Sequence, residues 1–147
     1  MGQKNNSALF FTCSLIEQIG RDLHLRRGEV VRQIGAERIK FLLDNADILH
    51  CEPLEKVADD ISREYSLRGG DYDNVSVCRH TVPSAWDMGK VYSRLIEDVD
   101  DDNQENALWS VYTSWMDELL CNYNSDLYYQ PREYLAECWK AGEIIDD

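Results

Sequence analysis

Proline and glycine are scarce, 3 and 8 in 147 residues, which excludes collagen-like and low-complexity architectures. No apolar run approaches the ~18 residues that a membrane span needs. The opening stretch from Met1 to Ser7 leads into an amphipathic segment rather than an apolar export signal. A cytoplasmic address with no membrane partner is the expectation. Cations are also in short supply: 15 Lys and Arg stand against 28 Asp and Glu, a net charge of -13. Binding to phosphate backbones needs a positive footprint, so this balance argues against nucleic acid as a general partner.

Catalytic and metal-binding motifs are missing too. No glycine-rich phosphate loop, Gly-x-Ser-x-Gly elbow or His-Glu-x-x-His helix occurs, so a non-enzymatic protein without a cofactor is expected. Asp98, Asp100 and Asp102 occupy the first, third and fifth positions of a calcium loop. Asn103 stands where that loop turns on glycine, however, and Trp109 where it needs a bidentate Glu. His50-Cys51-Glu52 lacks the second half of a zinc-deaminase signature. Cys78-Arg79-His80 joins a thiol and an imidazole but supplies only half of a tetrahedral zinc site, and no metal is expected. The five cysteines, Cys13, Cys51, Cys78, Cys121 and Cys138, are odd in number and have no framework spacing, which points to reduced thiols.

What the chain has in quantity is helical periodicity. Ser7 can cap a helix with Leu9, Phe10, Cys13, Ile16 and Ile19 on one face, ended by Gly20. A short helix follows with Val30, Val31 and Ile34, closed by Gly35. Ala36 to Asp47 carries Ile39, Leu42, Leu43 and Ala46 inward. Pro53 opens a helix with Leu54, Val57, Ala58, Ile61 and Tyr65. The pattern breaks between Leu67 and Val82, where Gly69-Gly70 is turn chemistry and Val75-Ser76-Val77 alternates like an edge strand or extended loop. Ser84 and Asp87 form a capping box before the stripe Met88, Val91, Tyr92, Leu95, Ile96 and Val99. Leu108 to Tyr123 reads as one broad sixth helix, and Pro131 introduces a last one ended by Gly142. The fold expected is an all-α bundle of about seven helices with a short extended segment near residues 75–78. Residues 1–68 would form a four-helix subdomain, 69–83 a loop, and 84–147 a three-helix acidic, aromatic-rich subdomain sharing the same core.

Charge and rings are unevenly spread. Met1 to Arg68 holds 10 cations and 11 carboxylates, whereas Gly69 to Asp147 holds 5 and 17. The second part also contains 11 of the 15 aromatic residues. Aromatic anchors with an acidic rim suit a protein partner with a basic surface. Trp109, Tyr128, Tyr129, Asp100, Asp101 and Asp102 are the candidate partner-binding residues, on the premise that they share one outward patch. An alternative is a small helix-turn-helix-like DNA-binding regulator using Arg32, Arg38 and Lys40, although Glu29 and Glu37 dilute that field. A further alternative is an enzyme built on Cys78 and His80.

The segment from Leu9 to Tyr65 resembles a small helical bacterial family of unknown function, through Phe10-Phe11, Glu29-Val30-Val31, Leu49-His50, and the helix with Leu54, Val57, Asp60 and Ile61. Members of that family are often encoded beside toxin-like genes, some resembling ADP-ribosyltransferases. The resemblance implies an antitoxin-like role and carries over no catalytic residue. Combined with the charge asymmetry, it gives the expected function: a protein-interaction module that binds and inhibits a basic partner, as an antitoxin or a nucleic-acid mimic does.

Overall fold

The computed structural model describes residues 6–145 as nine α-helices and one 3-10 turn, with no strand among them. The helices are α1 (Asn6–Leu23), α2 (Arg27–Ile34), α3 (Ala36–Asp44), α4 (Ala46–Leu49), α5 (Leu54–Glu64), α6 (Ala85–Asp100), α7 (Gln104–Tyr112), α8 (Trp115–Cys121) and α9 (Arg132–Ala141). The 3-10 turn, Leu127–Tyr129, precedes α9. The all-α class expected from the periodicity is the observed one.

Helix α1 is the central post. From Ala8 to Gly20 every side chain except those of Phe10 and Gln18 is buried, because α6, α5 and α2 pack around it. It packs tightly against α6 at Gly89. A Cβ there would lie 2.8 Å from the backbone N and Cα of Ser14. The absent side chain is what lets the two longest helices touch. The hydrophobic core is continuous across both sides of the 69–83 loop, drawing Leu15, Ile16 and Val57 from one side and Tyr92, Leu108 and Leu135 from the other. At its centre Tyr92 and Tyr112 stack with ring centroids 4.3 Å apart and planes 6° from parallel, a geometry that adds about 0.5–1.5 kcal/mol beyond area burial.

Helix ends follow local chemistry. The capping box at Ser84 and Asp87 is present, and Gly142 closes α9 in the left-handed region at φ 74°. Gly20 does not end α1. The helix runs to Leu23 and closes through His24 at φ 57°, with the Leu25 N–H donating to the Gly20 carbonyl at 3.0 Å. Gly20 serves a packing purpose instead: a Cβ on it would meet the Arg27 guanidinium at 2.8 Å.

Two segments expected as single helices are each divided, and hydroxyl and amide side chains explain both breaks. Asn45 separates α3 from α4, its Nδ2 donating to the Phe41 carbonyl at 2.7 Å. Thr113 and Ser114 separate α7 from α8. Their hydroxyls donate to the carbonyls of Trp109 at 2.6 Å and Val111 at 2.7 Å, and Ser114 Oγ then accepts the Met116 N–H. Such side chains compete with the helical ladder for the backbone. The broad apolar stripe from Leu108 to Tyr123 therefore spans two helices rather than one. Val75–Val77 is also not extended: residues 74–77 form turns, with Asp73 Oδ1 accepting the N–H groups of Val75 and Ser76. The alternation of two valines around a serine was too short to outweigh that Asx turn.

Gly89→Ala tests the α1–α6 contact. In an exposed helix the change would stabilise by up to about 1 kcal/mol. Here the new methyl meets the backbone of α1, so the expected outcome is a loss of about 1–3 kcal/mol, read from urea unfolding curves.

Candidate interaction site

The most enclosed polar chemistry lies inside the bundle. Arg27, at the start of α2, is fully buried. Its Nε donates to Glu17 Oε1 at 3.0 Å, and its Nη2 to Glu17 Oε2 at 2.9 Å, Asn74 Oδ1 at 3.2 Å and Tyr123 Oη at 3.1 Å. Nη1 donates to the Leu25 carbonyl at 2.8 Å. Tyr123 in turn donates its hydroxyl to Glu17, and Arg21 joins through Glu17 and Tyr123 at 3.1 and 3.0 Å. Burial by itself raises the Glu17 carboxyl. The Arg27 charge and hydrogen bonds, with Arg21 and Tyr123 behind them, outweigh it and hold the group below the usual carboxylate range.

Asp117, on α8, is the second buried acid. It accepts the Gly28 N–H at 2.9 Å and the Tyr92 hydroxyl at 2.9 Å. No cation lies within ion-pair distance of it among the described residues. Burial pushes its carboxyl up, against those two donors. Neither acid is open to a substrate, so both clusters are elements of the frame. Sequence reading passed over them. The available signal was Glu17 itself, a charge on the same helical face as Cys13, Ile16 and Gly20.

On the surface, Trp109 shares a groove with the start of α7, the helix that follows the acidic turn. Half-buried Trp109 lines a groove of about 370 Å³ with Ala36 and Ile39 of α3 and with Asn103, Glu105 and Asn106 at the start of α7. The turn leading into α7 is held by its own acids: Asp100 Oδ1 accepts the N–H groups of Asp102 and Asn103 at 3.2 Å, and Asp101 Oδ1 accepts Gln104 Nε2 at 2.9 Å. Asn103 then caps α7 by accepting the Asn106 N–H at 3.2 Å.

Tyr128 and Tyr129 lie elsewhere. They stack on each other at 4.4 Å on the 3-10 turn and line a different groove, between α6 and the start of α9, with no lining residue in common with that of Trp109. Tyr129 is 65% exposed and Tyr128 only 8%. The carboxylates are likewise divided among tasks: Asp117 is buried, Asp87 caps α6, and Glu97 and Asp98 bind Arg132.

The residues of the DNA-binding alternative each have an internal role. The Arg38 guanidinium lies over the Tyr65 ring at 4.5 Å, Lys40 pairs with Asp44 at 3.0 Å, and Arg32 reaches the Thr113 carbonyl at 3.5 Å. A single residue, Gly35 at φ 89°, joins α2 to α3, where a helix-turn-helix uses a turn of three or four. Cys78 directs its thiol to the His80 backbone carbonyl at 3.3 Å rather than to the imidazole. No group of three or more His, Cys, Asp or Glu is arranged to hold a metal among the described residues. No helix among them is long and apolar enough to cross a membrane.

No family model matches this chain, and no curated protein or solved structure does either.

The two buried acids give opposite pH signatures. Glu17 has its folded pKa below the ordinary value of 4.5, so its contribution is present above that value and lost as pH falls through the lower folded one. Asp117 is raised above 3.8, so its contribution is complete below 3.8 and lost as pH rises through the folded value. Glu17→Gln strands a buried Arg27 and should cost about 3–5 kcal/mol at neutral pH, while weakening the acid-side decline in stability. Asp117→Asn should gain relative to the parent as pH rises from about 4 to 7. Urea unfolding midpoints across that range measure both.

Proposed function

We propose that the chain is a protein-binding module that takes a basic partner at the α3–α7 groove and blocks that partner's own anionic ligand, an antitoxin-like or nucleic-acid-mimic inhibitor. The observation that carries the reading is the groove that Trp109 shares with Asn103, Glu105 and Asn106 of the α7 start, into which the Asp100–Asp102 turn leads. A half-buried indole offers an anchor that costs little entropy to order, and arginine is the side chain that stacks best on its face. The acids around it accelerate encounter with a cationic surface and reject anionic competitors. The turn is already folded by its own Asx hydrogen bonds, so binding does not have to order it. The resemblance of Leu9–Tyr65 to a family encoded beside toxin-like genes supports a toxin as the basic partner.

Duplex binding through Arg32, Arg38 and Lys40 has less support, because those cations are already engaged within the chain. Catalysis by Cys78 and His80 also has less support, because the Cys78 thiol is directed at the His80 backbone carbonyl.

The test is quantitative capture from native cells with the parent chain and three variants. Trp109→Ala, and the triple change Asp100→Asn, Asp101→Asn, Asp102→Asn, should each weaken retention of a basic protein by about tenfold or more, increasingly so at low salt for the triple change. Neutralising as many acids on and beyond α9 (Glu133→Gln, Glu137→Gln, Glu143→Gln) should leave retention within about twofold, since these charges lie away from the anchor. Equal loss in both neutralised proteins would reduce the effect to net charge and overturn the proposal. Capture that is indifferent to Trp109 would do the same.

A further inference from the structure

Acids outnumber cations nearly two to one in this chain, yet Lys90 and Arg94 form no ion pair with any described residue. They lie one turn apart on α6 and line the same groove, of about 330 Å³, with Val91, Leu135, Tyr128 and Tyr129. No carboxylate lines it. The third cation at the groove, Arg132, is already neutralised, with its Nη2 at 3.1 Å from Glu97 and 2.9 Å from Asp98. Its task is positional: with a further bond to the Arg94 carbonyl at 3.2 Å, it clamps the first turn of α9 against α6.

That clamp brings two more features to the groove. Helix α9 starts behind Pro131, which contributes no capping side chain, so the Arg132 and Glu133 N–H groups have no side-chain acceptor, while Tyr134 N–H donates to the Pro131 carbonyl and Glu133 is the one acid of that turn. Tyr129 stacks on buried Tyr128 and turns an exposed ring outward. Two unpaired cations, an uncapped helix start and a flat ring are the elements that hold an oxyanion attached to a planar group. Two cations also suit a phosphate monoester, which carries about -1.5 to -2 at neutral pH, better than a singly charged carboxylate. The volume is near the lower end of small-molecule sites, roughly 300–1,000 Å³, which limits the ligand to mononucleotide size. A nucleic-acid strand would have to run beyond the groove over a molecule of net charge -13, which repels its phosphates.

We propose that this groove is a binding site for a small phosphate monoester bearing a flat ring, with the phosphate on Lys90 and Arg94 and the ring on Tyr129. It is independent of the α3–α7 groove and does not require that surface to bind a protein.

Isothermal titration of the full chain with adenosine 5′-monophosphate, inorganic phosphate and adenosine tests it. The monophosphate should bind at sub-millimolar concentration, with phosphate or adenosine alone weaker by about tenfold or more. Replacing both cations (Lys90→Ala, Arg94→Ala) should weaken the monophosphate by about tenfold or more. Tyr129→Ala should weaken the monophosphate but leave inorganic phosphate unchanged, a split that a general loss of structure would not produce. Arg68→Ala, which removes an exposed cation beside Gln33 of α2, should change nothing. The proposal is overturned if the monophosphate gives no binding heat at about 5 mM, if the double variant binds as the parent does, or if a ten-residue oligothymidylate binds more tightly than the monophosphate.

Discussion

Everything in this fold is arranged around a guanidinium that has no contact with water. Removing Arg27 from solvent carries a desolvation cost of several kcal/mol, and the Coulomb attraction of one carboxylate offsets it only if the remaining donors are also satisfied. Here each nitrogen of the group has an acceptor: Nε and Nη2 share the Glu17 carboxylate, Nη2 also reaches Asn74 and Tyr123, and Nη1 donates to the Leu25 carbonyl. The acceptors come from α1, the α1–α2 connection, the 69–83 loop and the segment after α8. Forming the site therefore requires those four stretches of chain to be in register at once. Asn74 shows how this constraint spreads, since its amide also donates to the Cys121 carbonyl at 2.9 Å and so ties the loop to the end of α8.

The outer features inherit their rigidity from that centre. Asp117 receives the Gly28 N–H one residue after Arg27, which fixes α8 on α2. A Cβ at Gly28 would lie 2.8 Å from the Asp117 carboxylate, so the same glycine that donates also makes room. Tyr92 donates to Asp117 from α6 and stacks on Tyr112 of α7. Through these contacts the polar centre holds α6, α7 and α8, of which α7 lines the Trp109 groove and α6 the Tyr129 groove. A groove backed by helices that cannot slide keeps its shape before a ligand arrives, which lowers the ordering cost of binding.

Periodicity made the helices legible, and it did so because burial on one face is a repeating demand that leaves a repeating trace. The α6 stripe and its capping box at Ser84 and Asp87 could be read residue by residue. Breaks within helices were less visible. Asn45, Thr113 and Ser114 are ordinary residues on a helix surface, and only the choice of their side chains to bond backward to Phe41, Trp109 and Val111 ends the ladder there. The network was hidden for a different reason. Arg27 sat in a polar stretch between helices, and nothing local distinguishes a solvated arginine from one whose acceptors come from residues 10, 47 and 96 positions away. Only Glu17, a lone acid on an apolar face, carried a trace of it.

The candidate surface was legible in part, and the divided outcome has a physical cause. Trp109 lies in the same short helix that the acidic turn begins, so proximity in sequence ensured proximity in space. Tyr128 and Tyr129 share the acidic half of the sequence but not its acidic surface, because local neutralisation decides what a groove feels. Arg132 consumes Glu97 and Asp98, and the next turn back along α6 presents Lys90 and Arg94 with no acid opposite. At about 8 Å of screening length under physiological salt, a ligand in that groove responds chiefly to these neighbours, and the more remote carboxylates are damped. A net charge of -13 thus describes how the molecule meets a distant partner, while the sign of each groove is set by which cations the packing has left unpaired.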